Sequence, residues 1–372
     1  MSAPTWDEHW LRQQVWPRFS RALARDEIYL ANHSLGRPPD RAAADVQRGI
    51  DAWYRDMDGA WDLWLATREQ WRALTAKLVG APSPDCIVPK TSAGQGLRAV
   101  LNSFTTPPRV VTTNAEFDSL DFILRVYREK GRIDLKVLPF ESFRPERSEL
   151  VVVSTVAFRT GAILPDLPDI VAKARSLGAC VLLDVYHHAG VLPLDLAALD
   201  VDFAVGGSYK YLRGGPGACW LYVHPRHHAL RTLDTGWFAK KDPFAYQRPD
   251  PPRFAQGGDS WLESTPPALA PFQALAGLEI TLELGVERLR AYNVEQKEQL
   301  AALLPDAEGA GDDHGAFVTL LHPSAIELAK ALEREKVKVD ARGQYLRLCP
   351  DILNSREELE RAAGELAELW RR

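Results

Sequence analysis

The sequence predicts an α/β protein built on a mostly parallel sheet, with a small α/β domain at its C-terminal end. Three observations support this fold class. Short apolar runs of strand length recur between residues 86 and 223. Segments of helical periodicity alternate with them, which is typical of βαβ units and a parallel sheet. After about residue 285 the pattern changes to long helices separated by a few short strands.

The elements are predicted in chain order from these patterns. Helical patterns cover residues 5–25 and 40–80, and a turn-rich break with two prolines separates them at 28–39. Strands are expected at 86–89, 109–113, 149–154, 181–183, 201–205 and 218–223, with helices beginning at 97 and covering 167–177. A further helix is expected to start within 263–267, because Pro266 suits a first turn.

The C-terminal region is predicted to contain helices at 286–304, 323–335 and 355–371 and strands at 315–321, 337–340 and 345–349. We therefore expect an N-terminal segment, 1–50, that packs on the small domain and the active site, a large domain, 51–285, and a small domain, 286–372. The Pro-rich stretch 240–258 is too long to be a structureless connection, and a lid or a subunit contact is expected there.

Lys210 follows the apolar strand 201–205 and lies between Gly206-Gly207 and the turn Gly214-Gly215-Pro216-Gly217. Partial burial lowers the pKa of a lysine and makes its amine a nucleophile that can form a Schiff base. A loop lysine beside a turn is the ordinary alternative. The upstream strand 181–183 favours the first interpretation, because it ends in Asp184, with His187 three residues later.

Asp184 and Lys210 are separated by 26 residues, which is room for one loop and one further strand. Both side chains are therefore expected at the same edge of one sheet, where ligands of parallel sheets bind. A lysine and a carboxylate in this arrangement suit pyridoxal phosphate. The lysine holds the aldehyde as a Schiff base, and the carboxylate keeps the pyridine nitrogen protonated.

Asp184-x-x-His187, followed by Ser208-Tyr209-Lys210 and a Gly-rich turn, resembles the fold-type I pyridoxal-phosphate enzymes of the class V aminotransferase group, and kynureninase within it. The resemblance implies a seven-stranded sheet and a homodimer with shared active sites. Lys210 and Asp184 would be catalytic. The cofactor would also be contacted by Ser92, Ala93, Gly94, Phe117, Thr160, His187, Ser208 and Tyr209, and, across the dimer interface, by Trp237 and Thr265.

Two residues are expected to bind the substrate. Arg347 belongs to an Arg-x-x-Pro segment that the family uses to grip a carboxylate, and a guanidinium suits that role because it binds bidentately. A surface strand arginine is the alternative. Ser34 lies in Asn32-His33-Ser34-Leu35-Gly36, which resembles a family segment that lies against the active site. The chain departs from the family at Thr265, where asparagine is usual.

Composition excludes several other classes of function. The chain of 372 residues is 46% hydrophobic, carries a net charge of −5 and shows no basic patch for nucleic acid or anionic membrane. Four widely spaced cysteines are expected to be buried free thiols. The first ten residues lack the pattern of a signal peptide, and no apolar run approaches the ~18 residues of a membrane span. A cytoplasmic location is expected.

The resemblance implies hydrolytic Cβ–Cγ cleavage of kynurenine or a related γ-keto amino acid. The alternative is a class V aminotransferase, or another pyridoxal-phosphate lyase, acting on a different amino acid. A cofactor-binding regulator without turnover is a third possibility, against which the intact Lys210, Asp184 and Arg347 argue. Four tryptophans at 53–71 are either core residues or part of an aryl pocket.

Overall fold

The computed structural model describes residues 6–371 of the chain. Its centre is a seven-stranded sheet with the order β2-β8-β7-β6-β5-β3-β4. These strands are β2 (Ile87–Lys90), β3 (Arg109–Thr113), β4 (Asp134–Leu138), β5 (Leu150–Ser154), β6 (Cys180–Asp184), β7 (Phe203–Gly207) and β8 (Cys219–Val223). The five strands from β7 to β4 are parallel to one another, and β8 is antiparallel to both β7 and β2. The predicted fold is confirmed.

Helices cover the sheet and surround the small domain. In chain order they are α1 (Glu8–Gln14), α2 (Ser20–Leu23), α3 (Arg41–Asp56), α4 (Ala60–Leu78), α5 (Ala93–Leu101), α6 (Asp118–Glu129), α7 (Leu167–Ser176), α8 (Ala270–Leu284), α9 (Val286–Leu303), α10 (Ala325–Arg334) and α11 (Arg356–Arg371). Successive strand residues point to opposite faces of the sheet. Val151 and Val153 therefore join one buried core and Val152 the other, so both faces of the sheet are covered.

The small domain contains a three-stranded sheet with the order β11-β12-β9, formed by β9 (Val318–Leu321), β11 (Asp340–Arg342) and β12 (Tyr345–Leu348). The N-terminal segment is attached to this domain. Its strand β1 (Ile28–Tyr29) pairs in parallel with β10 (Val337–Lys338). Ile28 and Leu30 are buried in the same core as residues of α9, α10 and α11. The domain boundaries at residues 50 and 285 stay predictions.

Three sequence predictions about secondary structure were wrong in detail. The helical pattern 5–25 is broken, because a 3₁₀ turn that contains Pro17, Trp16–Phe19, lies between α1 and α2. The pattern 40–80 forms two helices, α3 and α4, with a left-handed Met57 between them. The helix expected to start within 263–267 begins at Ala270, and its first turn contains Pro271. A residue that precedes proline avoids the helical region, so Pro266 and Pro267 keep the chain extended.

Candidate active site

Lys210 and Asp184 lie where two neighbouring parallel strands end. Asp184 is the last residue of β6 and is paired with Val205 of β7, while Lys210 follows the end of β7 by three residues. Each of the two residues is 5% exposed. The sheet therefore brings a buried carboxylate and a buried amine to one edge, as ligand sites in parallel sheets require.

The amine of Lys210 has a defined set of neighbours. Its Nζ shares a hydrogen bond with Nε2 of His187 at 2.7 Å. Three aromatic rings surround the same nitrogen, with their centroids 5.5 Å away for Phe117, 5.6 Å for Tyr186 and 5.7 Å for Tyr209. The nitrogen is thus held in one place inside a mainly apolar enclosure.

Burial is the largest cause of the pKa shifts at this edge of the sheet. It lowers the pKa of Lys210 to about 7, although the negative charge of Asp184 acts in the opposite direction. It also raises the pKa of Asp184, and it lowers the pKa of His187 well below the usual value. Desolvation disfavours every charged form in such a site. A substantial fraction of Lys210 is therefore an uncharged, nucleophilic amine at neutral pH.

Seven of the predicted site residues line one open cavity of about 620 Å³. They are Ser92, Ala93, Phe117, Asp184, His187, Tyr209 and Lys210. At one side of this cavity Ser92 caps α5, and its hydroxyl accepts a hydrogen bond from the backbone N–H of Gln95. The N-terminus of a helix presents free N–H groups and a positive dipole end, so this side of the cavity suits a phosphate.

Three more of the predicted residues lie near the cavity without lining it. Gly94 is buried in the first turn of α5, and Ser208 is buried with its N–H donating to the carbonyl of Ala218. The Thr160 hydroxyl accepts a hydrogen bond from the N–H of Ala162 at 3.3 Å. These residues support the walls of the site in this single chain.

Trp237 and Thr265 contact each other but do not line the Lys210 cavity of their own chain. The indole Nε1 of Trp237 donates to the hydroxyl of Thr265 at 3.0 Å. Thr265 is exposed and Trp237 is half-buried, packed against Phe238 with a ring separation of 4.4 Å. The pair is therefore presented at the surface of the protomer.

Ser34 and Arg347 both contact the same carboxylate, that of Asp340. The Ser34 hydroxyl and a guanidinium nitrogen of Arg347 both donate to Oδ2 of Asp340. Arg347 also donates to the carbonyl of Phe158, whose ring lines the Lys210 cavity. The structure therefore places the two predicted substrate-binding residues together, next to the cavity wall.

The N-terminal segment reaches Lys210 through Gly36. Its N–H donates to the carbonyl of Tyr209 at 2.8 Å. A Cβ built on Gly36 would lie 1.9 Å from the carbonyl oxygen of Lys210. Only a residue without a side chain permits this approach, so the glycine fixes how closely Ser34 and its neighbours approach the site.

Sequence reasoning missed several residues of the cavity. Tyr186 lies between Asp184 and His187 and donates its hydroxyl hydrogen to Sγ of Cys219 at 2.7 Å. Cys219 and Ser154 also line the cavity. The position of Tyr186 directly after a buried strand was the one available signal, since residues at strand ends face the ligand site of a parallel sheet.

A buried carboxyl group, Glu116, lies behind the cavity and was also missed. It accepts hydrogen bonds from the Thr113 hydroxyl at 2.6 Å and from the Ser154 hydroxyl at 2.6 Å, and a third from the Ser154 N–H. Burial raises its pKa to about 7 despite these donors, and the negative charge of Asp184 adds to the rise. Glu116 thus connects β3 with β5 directly beneath the site.

A second cavity of about 430 Å³ adjoins the first and shares Gly217 and Cys219 with it. Three tryptophans of the 53–71 group, Trp61, Trp64 and Trp71, line this second cavity. Trp71 is buried and the other two are half-buried, whereas Trp53 is 54% exposed. The tryptophan group is therefore divided between cavity wall and surface.

The class V aminotransferase family matches residues 62–311, a range that includes both Asp184 and Lys210. The chain belongs to this family. The expected cofactor, pyridoxal phosphate, is confirmed by this membership. A kynureninase from Salinispora tropica is 31% identical to the chain over 361 residues, which cover 84% of this chain and 83% of that relative.

Solved structures that are similar to the chain agree on the fold. A mutant of C-DES, with glycine covalently linked to its PLP cofactor, has a TM-score of 0.84 at 18% identity and covers 98% of this chain and 100% of its own. The Escherichia coli cysteine desulfurase CsdA has a TM-score of 0.79 at 17% identity, with 99% of both chains covered. Among residues 6–371, no helix has the length and apolarity needed to cross a membrane.

Proposed function

We propose that the protein is a pyridoxal-phosphate enzyme that cleaves the Cβ–Cγ bond of kynurenine or a related γ-keto amino acid by hydrolysis. The observation that carries this proposal is the buried amine of Lys210, whose pKa burial lowers to about 7, at the edge of the sheet that also presents Asp184. The similarity to a kynureninase over most of the chain supports the choice of reaction.

The residues of the cavity fit the cofactor. Lys210 supplies the amine for its aldehyde, Asp184 a carboxylate for its pyridine nitrogen, and Phe117 a ring for stacking. Ser92 and Ala93 at the start of α5 suit its phosphate. When bound, the cofactor's protonated ring stabilises the negative charge that develops on the substrate's α-carbon.

The protein's own groups then have defined tasks. Lys210, once its amine is free, accepts the proton from the α-carbon and returns it, and the hydrogen bond to His187 holds Nζ in position. Asp184 would pair with the ring nitrogen of the bound cofactor, and the positive charge there would favour the ionised form of its carboxyl group. Water is added across the Cβ–Cγ bond as it breaks. The hydroxyl group of water goes to Cγ and gives the aryl acid, and its other hydrogen goes to Cβ and gives alanine.

The adjoining cavity suits the aryl end of such a substrate. Trp61, Trp64 and Trp71 provide apolar surface there, and the cavity shares the wall residues Gly217 and Cys219 with the Lys210 cavity. Aromatic rings pack favourably in offset or edge-to-face arrangements, and Trp61 and Trp64 already adopt an edge-to-face arrangement with each other. This placement supports an aromatic γ-keto amino acid over a small aliphatic one.

A homodimer with shared active sites is part of the same proposal. Trp237 and Thr265 face outward as a hydrogen-bonded pair, next to further exposed aromatic residues, Phe244 and Tyr246. An exposed aromatic cluster of this kind is typical of a protein–protein contact. In the dimer, Trp237 and Thr265 would complete the cofactor site of the partner.

Another reaction of the class V group, on a different amino acid, is the second candidate. Because the fold is similar to that of the cysteine desulfurase CsdA, sulfur-containing amino acids are the alternative substrates to consider. A cysteine that carries a persulfide must reach the substrate from a mobile position. Of the four cysteines, Cys86, Cys219 and Cys349 are buried and the half-buried Cys180 begins β6, while Cys219 begins β8 and its sulfur accepts a hydrogen bond from Tyr186. This placement disfavours a desulfurase.

The deciding experiment offers L-kynurenine and 3-hydroxykynurenine to the yellow, cofactor-loaded protein and follows the fluorescence of the anthranilate product. We expect product over many turnovers, and none from Lys210→Ala. If the absorbance of the cofactor shifts without product, the hydrolase proposal is wrong and the enzyme acts on another amino acid. A screen of amino acids paired with keto acids then separates transamination from elimination.

A further inference from the structure

Asp340 occupies the point where the two predicted substrate-carboxylate ligands converge. Its Oδ2 accepts the Ser34 hydroxyl and lies 2.5 Å from Nη2 of Arg347. This is the arrangement that the proposed function requires for the carboxylate of the substrate. The protein's own carboxylate therefore stands where the ligand's carboxylate is expected.

Arg347 is buried and has bonding capacity left. It is 2% exposed, one Nη donates to the Phe158 carbonyl, and Nε has no hydrogen-bond partner among the described residues. A guanidinium has five N–H donors, and a buried donor without a partner is costly. Arg347 thus keeps one buried N–H donor, at Nε, that its contacts with Asp340 and Phe158 leave unused.

A second guanidinium group, that of Arg342, already contacts Asp340. Arg342 Nη1 donates to Oδ1 of Asp340 at 2.7 Å, and the Arg342 side chain is 45% exposed. Burial alone would raise the pKa of Asp340, but the charges of Arg347 and Arg342 and the Ser34 hydroxyl outweigh burial and hold it below the usual value. Nε2 of His33 lies 3.6 Å from Oδ2 of Asp340, and burial lowers the pKa of His33 well below its usual value.

We propose that Asp340 fills the carboxylate subsite of the free enzyme and that the substrate's carboxylate displaces it from Arg347 toward Arg342. The proposal rests on the proposed role of Arg347. Two guanidinium groups then serve two carboxylates, so no charge is left buried without a partner, which would be costly. The arrangement also selects substrates, because an amine without a carboxylate gives Arg347 no replacement for Asp340.

Calorimetric titration of the cofactor-loaded protein with L-alanine and with L-alaninamide tests this displacement. Asp340→Asn keeps the shape of the side chain and removes its charge. A charge-assisted hydrogen bond contributes on the order of tenfold in affinity, so L-alanine should bind about tenfold more tightly to D340N while L-alaninamide binds as before. Glu335→Gln, which removes an exposed carboxylate of the same domain, should change neither affinity.

A double-mutant cycle sharpens the test. Arg342→Gln removes the guanidinium that would pair with the displaced Asp340, so it should weaken L-alanine binding in the wild-type background and have no effect in D340N. Equal effects of Arg342→Gln in both backgrounds would overturn the proposal. Thermal unfolding of each variant establishes that the protein is folded under the conditions of titration.

The remaining outcomes are equally decisive. Weaker binding of L-alanine to D340N would mean that Asp340 aligns Arg347 for the substrate, and the displacement would be refuted. Failure of L-alanine to bind either form would refute it too, because releasing the subsite must admit so small an amino acid. If Arg347→Gln retains the preference for L-alanine over L-alaninamide, the fault lies in the proposed role of Arg347.

Discussion

The reactivity of Lys210 toward pyridoxal phosphate should have an unusual pH dependence. Burial brings the pKa of this amine from the ordinary 10.5 to about 7. At pH 7 the uncharged fraction then rises from about 3 in 10⁴ to about one half, a gain of roughly 10³. A less basic amine is also a weaker nucleophile, which cancels part of this gain. We therefore expect Lys210 to capture the cofactor about 10²-fold faster than an exposed lysine does.

The assay mixes cofactor-free protein with pyridoxal phosphate and follows the yellow absorbance in a stopped-flow instrument between pH 5.5 and pH 10. N-acetyl-lysine is measured in parallel, because the ratio of the two rates cancels the ionisation of the cofactor itself. The ratio should fall as pH rises above about 7, since Lys210 is by then uncharged while the free lysine is still gaining uncharged amine.

Two results would refute this reasoning. A rate that rises in parallel with that of N-acetyl-lysine up to pH 10 would show an ordinary, solvated amine. Capture by Lys210→Ala at the wild-type rate would show that another lysine reacts. Asp184→Asn provides a sign test: the charge of Asp184 raises the pKa of Lys210, so its removal should move the midpoint to lower pH.

Three further predictions concern the surroundings of the site. Asp184→Asn should still capture the cofactor but lose turnover by about 10²-fold or more, because the ring nitrogen loses its counter-charge, and near-normal rates would contradict its role. Gly36→Ala should destabilise the protein to chemical denaturation by about 1–3 kcal/mol, since its Cβ would meet the Lys210 carbonyl, whereas Gly364→Ala in open space on α11 should be stabilising or neutral. Burial raises the pKa of Glu116 to about 7, so its protonated form contributes stability at low pH that is lost as pH rises from about 5 to 8. Glu116→Gln should lack this loss. If the melting temperatures of the two proteins change in parallel across that window, the pKa of Glu116 is unperturbed.

The central part of the fold and of the site was predictable because its signals are local. Short apolar runs located six of the seven strands, and polar residues at the ends of two of them identified Asp184 and Lys210. The strand β4 (Asp134–Leu138) was not located. It lies at the edge of the sheet, where its side chains are only partly buried, so its sequence is less apolar than that of a central strand.

Residues that reach the site from elsewhere were not predictable in this way. Tyr186 depends on the loop after β6 turning its ring toward Lys210, and Glu116 depends on the contact between β3 and β5. Asp340 forms a hydrogen bond with Ser34 although the two residues are 306 positions apart in the sequence. No periodicity or spacing relates residues so far apart along the chain.

The sequence by itself determined the fold class, the cofactor chemistry and the pair Asp184 and Lys210, because burial and strand termination are set by neighbouring residues. The tertiary structure decided the state of the groups. The loss of water around Lys210 lowers its pKa, and the packing of the N-terminal segment on the small domain sets Ser34 against Asp340. Desolvation and pairing arise only when distant segments enclose the same volume, so they belong to the folded chain alone.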